Sequence, residues 1–255
     1  MVAVSETIQL PYRVTHPLYK LLRRYNHPEL MNPYIIDYTY QYVKDSKIIY
    51  DPFAGVGTTA LILRHLPDKY IILADIEETL VKAMKEVTSE LKLNGNIEIL
   101  HQDSTIMYMN VDAVYTSPPF LTINRGGGIY EKGYWRNGKP VDTELPFRHI
   151  RQYSSNPRNL SNMKDTYYWI AWQKLVNRVN ARKWIIHGKD IVRKGRIIET
   201  WREYIKPLLA KGFKLEKLIV FKKHKREVSF WQNLMRKRGL PVVDYEWVAI
   251  LIRQN

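Results

Sequence analysis

Cysteine is missing altogether from the 255 residues. Its absence excludes disulfides, cysteine-ligated zinc and any thiolate nucleophile, so the fold rests on burial and hydrogen bonding. Long apolar runs are missing too: no stretch approaches the ~18 apolar residues of a membrane-spanning helix. The first residues, Met1-Val2-Ala3-Val4-Ser5-Glu6, lack a charged segment followed by an apolar one. The expectation is a soluble, cytoplasmic chain with no membrane partner. Acidic residues are scarce beside basic ones, 25 Asp plus Glu against 40 Lys plus Arg, for a formal charge of +15. The basic excess gathers after Arg125 and is mixed with Tyr and Trp, a combination suited to a polyanion.

What is present is an alternating α/β pattern with enough apolar residues, 45%, for a full core. Residues 48–50 form an apolar run ending at Asp51 and read as a buried parallel strand. Residues 58–66 follow as a helix, 70–74 as a second strand closed by Asp75, and 77–93 as a helix with Leu80, Met84, Val87 and Leu91 at helical spacing. A third strand at 97–100 ends near Asp103, and a fourth at 111–115 delivers Thr116-Ser117-Pro118-Pro119-Phe120. Regular periodicity then stops between 121 and 164, where Gly126-Gly127-Gly128, Tyr130, Tyr134, Trp135 and Tyr153 accompany scattered basic residues. A stretch this long without regular structure is usually functional. Beyond it, 165–180 reads as a helix, 183–187 as a strand and 196–211 as a helix interrupted by Pro207. Residues 213–221 and 245–252 read as two final strands. The whole reads as one domain, with the cofactor and catalytic motifs in 27–120, a basic-aromatic insertion in 121–164 as candidate substrate region, and the second half of the sheet in 165–255. The fold class is α/β, a Rossmann-like, mostly parallel sheet with one antiparallel strand, and ligands belong outside the carboxyl ends of its strands.

Two motifs carry the chemistry. Residues 51–59 read Asp-Pro-Phe-Ala-Gly-Val-Gly-Thr-Thr, a strand end running into Gly-x-Gly at a helix start. Glycines there let the backbone approach a ligand closely, a role assigned to Gly55 and Gly57. Asp51 can face the ammonium group of a methionine moiety, which a pyrophosphate would not favour. Asp75, ending the next strand, can take two ribose hydroxyls, and Asp103 with Ser104 can accept from an adenine amino group. Pro52, Phe53 and Thr58 complete the cofactor set. These features point to S-adenosylmethionine. The second motif, Ser117-Pro118-Pro119-Phe120, suits the exocyclic amine of a base, a poor nucleophile because its lone pair is delocalised. Ser117 Oγ and the Pro118 carbonyl can accept its protons, consecutive prolines stiffen the backbone that holds them, and Phe120 offers a stacking face for a base taken out of its helix. Direct displacement needs no metal, and no metal site is expected. Methylation of a pyrimidine C5, which normally needs a thiolate, is excluded by the missing cysteine.

Together the two motifs resemble those of the DNA amino-methyltransferases that modify cytosine N4 or adenine N6. The Ser before the prolines is similar to the cytosine N4 subgroup, whereas adenine enzymes usually carry Asp or Asn there. The segment Asn32-Pro33-Tyr34-Ile35-Ile36-Asp37-Tyr38-Thr39 resembles the family's preceding motif, which helps cover the methionine end. The resemblance spans roughly residues 27–121. It implies a seven-stranded methyltransferase sheet, with Asp51, Gly55, Gly57 and Asp75 on the cofactor and residues 117–120 on the target base. Two departures stand out: Phe120 replaces a commoner Tyr, and no large separate target-recognition region is evident.

Three basic stretches are candidates for phosphate contacts: Arg125 through Arg158, residues 189–196 with Lys189 and Arg193, and 222–226 with Lys223, Lys225 and Arg226. His101 and His187 are expected to serve packing. The favoured reading is cytosine N4 methylation of DNA. The alternatives are the same chemistry on structured RNA such as ribosomal RNA, recognised by shape, and a catalytically silent nucleic-acid-binding protein of the same fold. Oligomeric state stays open.

Overall fold

The computed structural model describes residues 5–25, 30–93, 96–119, 134–136, 139–141, 156–163, 165–193 and 196–254. Eight strands make one sheet: β1 Glu6–Gln9, β2 Ile48–Asp51, β3 Tyr70–Asp75, β4 Asn96–His101, β5 Ala113–Thr116, β6 Lys183–Gly188, β7 Phe213–Lys222 and β8 Tyr245–Arg253. Their spatial order is β1-β7-β8-β6-β5-β2-β3-β4. β8 is antiparallel to both neighbours, and every other pairing in the sheet is parallel. The expected seven strands with one antiparallel member are all present. The eighth, β1, adds parallel to β7 at the edge. Its sequence, Glu-Thr-Ile-Gln, is short and polar with a mostly exposed burial pattern, so no hydrophobic alternation announces it.

The inner strands are apolar throughout because both faces are covered. Successive residues go to opposite layers: Ile49, Ile71, Leu73, Ala113, Tyr115 and Ile185 join one buried cluster. Tyr50, Ile72, Ala74, Val114, Trp184 and Ile186 join the other. The first layer is closed by α1 Pro33–Thr39, the 3-10 helix Thr58–Arg64 and α2 Glu78–Glu90, which bury Ile35 and Ile36, Leu61 to Leu63, and Val81, Met84 and Val87. The second is closed by α3 Asp165–Arg178 and α4 Thr200–Ala210, which contribute Tyr168, Trp172, Trp201 and Tyr204. Tyr204 sits among Trp172, Trp169 and Trp247 at centroid separations of 5.0–5.6 Å, and its peptide carbonyl accepts from Trp172 Nε1.

Two expected helices differ in the structure. The segment expected as an α-helix over 58–66 is a 3-10 helix, with residues 58–63 all buried. A helix wrapped on all sides has no polar face to present, and it carries three β-branched residues, Thr58, Thr59 and Ile62. The turn before it already runs on i to i+3 bonds, Gly57 N–H to Ala54 C=O and Ala60 N–H to Gly57 C=O. The helix expected from 196 begins at Thr200, because Arg196–Ile198 pairs antiparallel with Ile191–Arg193. Asp190 Oδ1 accepts the Thr200 N–H at 2.9 Å and satisfies one of the free amides at the helix start. Pro207 lies inside α4 without ending it. Among the described residues, no helix is long and apolar enough to cross a membrane.

Candidate active site

The sheet order turns back on itself between β2 and β5, and a cleft opens at that switch point, outside the carboxyl ends of the strands. It is open to solvent, and its empty space, open solvent included, is about 750 Å³. Asp51, Pro52, Phe53, Gly55, Thr58, Asp75 and Asp103 line it, as do Ser117 and Pro119 from the neighbouring strand end. Motifs far apart in sequence therefore meet on one cavity.

Each acid is held by the turn that follows it. Asp51 is 2% exposed; its Oδ1 accepts the Phe53 N–H and its Oδ2 the Thr59 hydroxyl. Asp75 is 8% exposed; its Oδ2 accepts the Gly55 N–H at 3.0 Å and its Oδ1 the Glu77 N–H at 2.9 Å. Asp75 thereby ties the glycine turn to the start of α2. Burial pushes the Asp51 carboxyl up to about 6 and the Asp75 carboxyl up to about 7, against the pull of these hydrogen bonds. Neither has a cation beside it among the described residues. Asp103 Oδ1 accepts from the Thr105 N–H and hydroxyl, closing an Asx turn. Ser104 is buried and accepts from the Tyr50 hydroxyl at 2.8 Å.

The two glycines divide their roles. Gly55, at φ 58°, lines the cleft and lends its N–H to Asp75. Gly57, at φ 84°, lies outside the lining, and a Cβ there would come within 3.2 Å of Met84 and 3.5 Å of Leu73. Gly57 also needs to be glycine for its left-handed conformation and for packing under α2. A side chain at 57 would strain the turn and push the core, without filling the cleft.

Beyond the end of β5, Ser117 Oγ lies 2.8 Å from His187 Nδ1, and His187 Nε2 lies 2.9 Å from Glu246 Oε2. Lys223 Nζ stands 3.0 Å from the other carboxylate oxygen. Burial pushes the Glu246 carboxyl up, but the Lys223 charge and the hydrogen bonds from His187 and Lys223 outweigh it and hold the group well below the usual range. Pro119 C=O accepts the Tyr168 hydroxyl at 2.9 Å, and Tyr168 is in turn hydrogen-bonded to Tyr204. The Pro-Pro segment is thus anchored to α3.

His187, expected to serve packing alone, contacts the motif serine, and Glu246 was not singled out by the sequence. The available signal was a polar residue beside the apolar run of each of two strands, His187 after Trp184-Ile185-Ile186 and Glu246 before Trp247-Val248-Ala249-Ile250-Leu251. The cleft also takes in Leu30 and Met31, just ahead of α1, and Arg158, Asn159 and Leu160, where the chain returns from the insertion. Asn159 Nδ2 donates to Glu77 Oε1 at 3.0 Å.

The basic candidates separate. Lys225 and Arg226 are exposed on the short 3-10 turn after β7, Arg226 over the Tyr12 ring at 5.9 Å. Lys223 is half-buried and paired with Glu246. Lys189 is half-buried on the loop after β6. The Arg193 side chain, Arg125 and Phe120 lie outside the described residues.

The sequence matches no protein-family model and no curated protein. By structure, the chain is similar to TrmN from Thermus thermophilus, with TM-score 0.50 and 14% identity over 91% of this chain and 53% of that one. It spans about half the length of TrmN. It is also similar to the magnesium protoporphyrin IX methyltransferase of Synechocystis PCC 6803 with bound SAM, with TM-score 0.51 and 12% identity over 94% and 92% of the two chains. The same enzyme with bound SAH gives TM-score 0.52 and 11% identity over 92% and 94%. The fold is the α/β, Rossmann-like fold of these methyltransferases.

Proposed function

We propose that the protein is an S-adenosylmethionine-dependent methyltransferase acting on an exocyclic amino group in nucleic acid, with cytosine N4 of DNA as its target. The observation that carries this reading is the cleft itself. Two buried carboxylates at adjacent strand ends face the same cavity as Ser117 of the Ser-Pro-Pro motif. Carboxylates buried without a cation fit a ligand that brings one, and a pair at these positions fits an ammonium group at Asp51 and a ribose diol at Asp75. Asp103 stands further along the same wall for the adenine amine. When bound, the cofactor supplies an electrophilic methyl group, whose bond to the sulfonium sulfur breaks, leaving its electron pair on sulfur, as a bond to the target nitrogen forms.

The chain's own residues then have defined tasks. Ser117 Oγ and the Pro118 carbonyl accept the amine protons and favour a more tetrahedral nitrogen. Anchoring of Pro119 by Tyr168 keeps these acceptors fixed before substrate arrives. Phe120 is assigned the stacking role from sequence alone. The direct test supplies methyl-labelled S-adenosylmethionine with DNA and with RNA in separate reactions. Label in DNA is expected; label confined to RNA moves the same chemistry to a structured RNA, and label in neither contradicts the reading.

Lys225 and Arg226 are proposed phosphate contacts. Each neutralised phosphate contributes about 0.9 to the slope of log affinity against log salt on duplex DNA. Replacing both with Ala is expected to weaken binding and flatten that slope by up to about 1.8. A salt titration that superposes on the parent's would make the turn a solvated surface only.

A further inference from the structure

We propose that Ser117, His187 and Glu246 form a proton relay that takes the proton released by the target amine, with Lys223 paired to the far oxygen of the carboxylate. The inference rests on the amine-methylation reading and adds to it the route of the proton.

Strand register builds the chain. Thr116 on β5 lies opposite Ile186 on β6, so the next residue of each, Ser117 and His187, fall side by side at the strand ends. His187 is registered with Val248 on β8, and Glu246, two residues away on the same face, is its diagonal neighbour. Lys223 follows the last ladder pair of β7 and β8, Lys222 with Tyr245, and so arrives beside Glu246. Four strand ends therefore converge on one line of polar groups.

The donor and acceptor roles follow from the carboxylate. Ionised Glu246 only accepts, so His187 Nε2 carries the proton that bonds it, at 2.9 Å. Nδ1 is then an acceptor, and the Ser117 hydroxyl donates to it at 2.8 Å. Both lone pairs of Ser117 Oγ remain for the amine. Once the nitrogen has gained its methyl group it carries one proton too many. That proton passes to Ser117 Oγ as the serine's own proton moves to His187 Nδ1, leaving a neutral methylated amine, an intact serine and an imidazolium bonded to Glu246. The imidazolium returns its proton through Ser117 to water after product leaves. His187 does not touch substrate; it acts through Ser117. The charged groups on neighbouring elements are Glu246 on β8, Lys223 after β7, and Asp190 on the loop after β6, the last tied to Tyr245, Trp247 and Thr200.

Two measurements test the relay. In the full chain labelled with ¹⁵N-histidine, without cofactor, His187 is expected as the Nε2–H tautomer; an Nδ1–H tautomer overturns the assignment. His187→Gln can keep both hydrogen bonds but cannot take up a proton. It is expected to slow single-turnover methyl transfer about 100-fold and to leave cofactor affinity unchanged. Glu246→Gln, which keeps the imidazole in place, is also expected to slow transfer, by about 100-fold at the low end of losses for such groups, and serves if His187→Gln does not fold. A variant with the parent's rate overturns the relay while amine methylation stands. A parent that methylates no nucleic acid overturns the reading beneath it, and the relay with it.

Discussion

Asp51→Asn is expected to weaken S-adenosylmethionine binding at least about thirtyfold, or about 2 kcal/mol, while the protein stays folded. The substitution keeps the shape and the hydrogen bond from Phe53 but removes the charge proposed to face the ligand's ammonium group. Losing one partner of a desolvated, hydrogen-bonded charge pair costs about 2–5 kcal/mol. Acidity gives a second signature. Burial raises Asp51 to about 6 and Asp75 to about 7, above the ordinary 3.8. The folded, ligand-free protein therefore binds more protons than the unfolded chain between about 4 and about 7. These groups favour folding on the acid side, and that contribution is lost as pH rises through about 6 and then about 7. A cationic ligand needs the ionised form, so affinity is expected to climb as pH rises through the same range and then level off. In Asp51→Asn the step near 6 should vanish, and the ligand-free variant should melt above the parent at pH 8. Calorimetric titrations at pH 5.5 and pH 8 read both effects, and equal affinities for parent and variant would remove Asp51 from the cofactor.

Ser117→Ala is expected to lower methyl transfer about 100-fold or more and to leave cofactor affinity where it was. Ser117 makes no hydrogen bond to Asp51 or Asp75 and is assigned to the amine, so its loss is expected to touch the reacting nitrogen and not the ligand's anchoring groups. A single preorganised hydrogen-bonding group at the reacting atoms is worth about 10²–10³ in rate. The same change leaves His187 Nδ1 without its hydroxyl, which should lower stability by about 1 kcal/mol. Single-turnover rates beside calorimetric affinities separate the effects. A loss of affinity that matches the loss of rate would place Ser117 on the cofactor.

Much of the fold was legible in the sequence because the sheet is buried on both faces. Ile-Ile-Tyr-Asp and Tyr-Ile-Ile-Leu-Ala-Asp are apolar to their last residue and end in acids, which marks both the strand and the edge where ligands gather. That Asp51, Asp75 and Asp103 line the cleft was legible for the same reason, as local turn chemistry at successive strand ends. What escaped was set by tertiary context. β1 has too little apolar surface to announce itself and exists because β7 offers it an edge. The Thr58–Arg64 segment is shaped by burial on all sides, which overrides a helical pattern. Gly57 could be seen to need a glycine, but only the position of Met84 shows which side the missing Cβ would have occupied. Lys223 looked like one of five basic residues in a row; its partner Glu246 is adjacent only once β7 and β8 pair. His187 and Ser117 are brought together in the same way by the register of β5 and β6.

The central claim is methyl transfer to an exocyclic base amine, and the mass of the product nucleoside tests it most directly. After reaction with labelled S-adenosylmethionine, the nucleic acid is digested to nucleosides and separated. The account expects the label in N4-methylcytosine, and expects it to disappear in Ser117→Ala. Label found only on adenine, on a ring carbon, or on no nucleoside would contradict it.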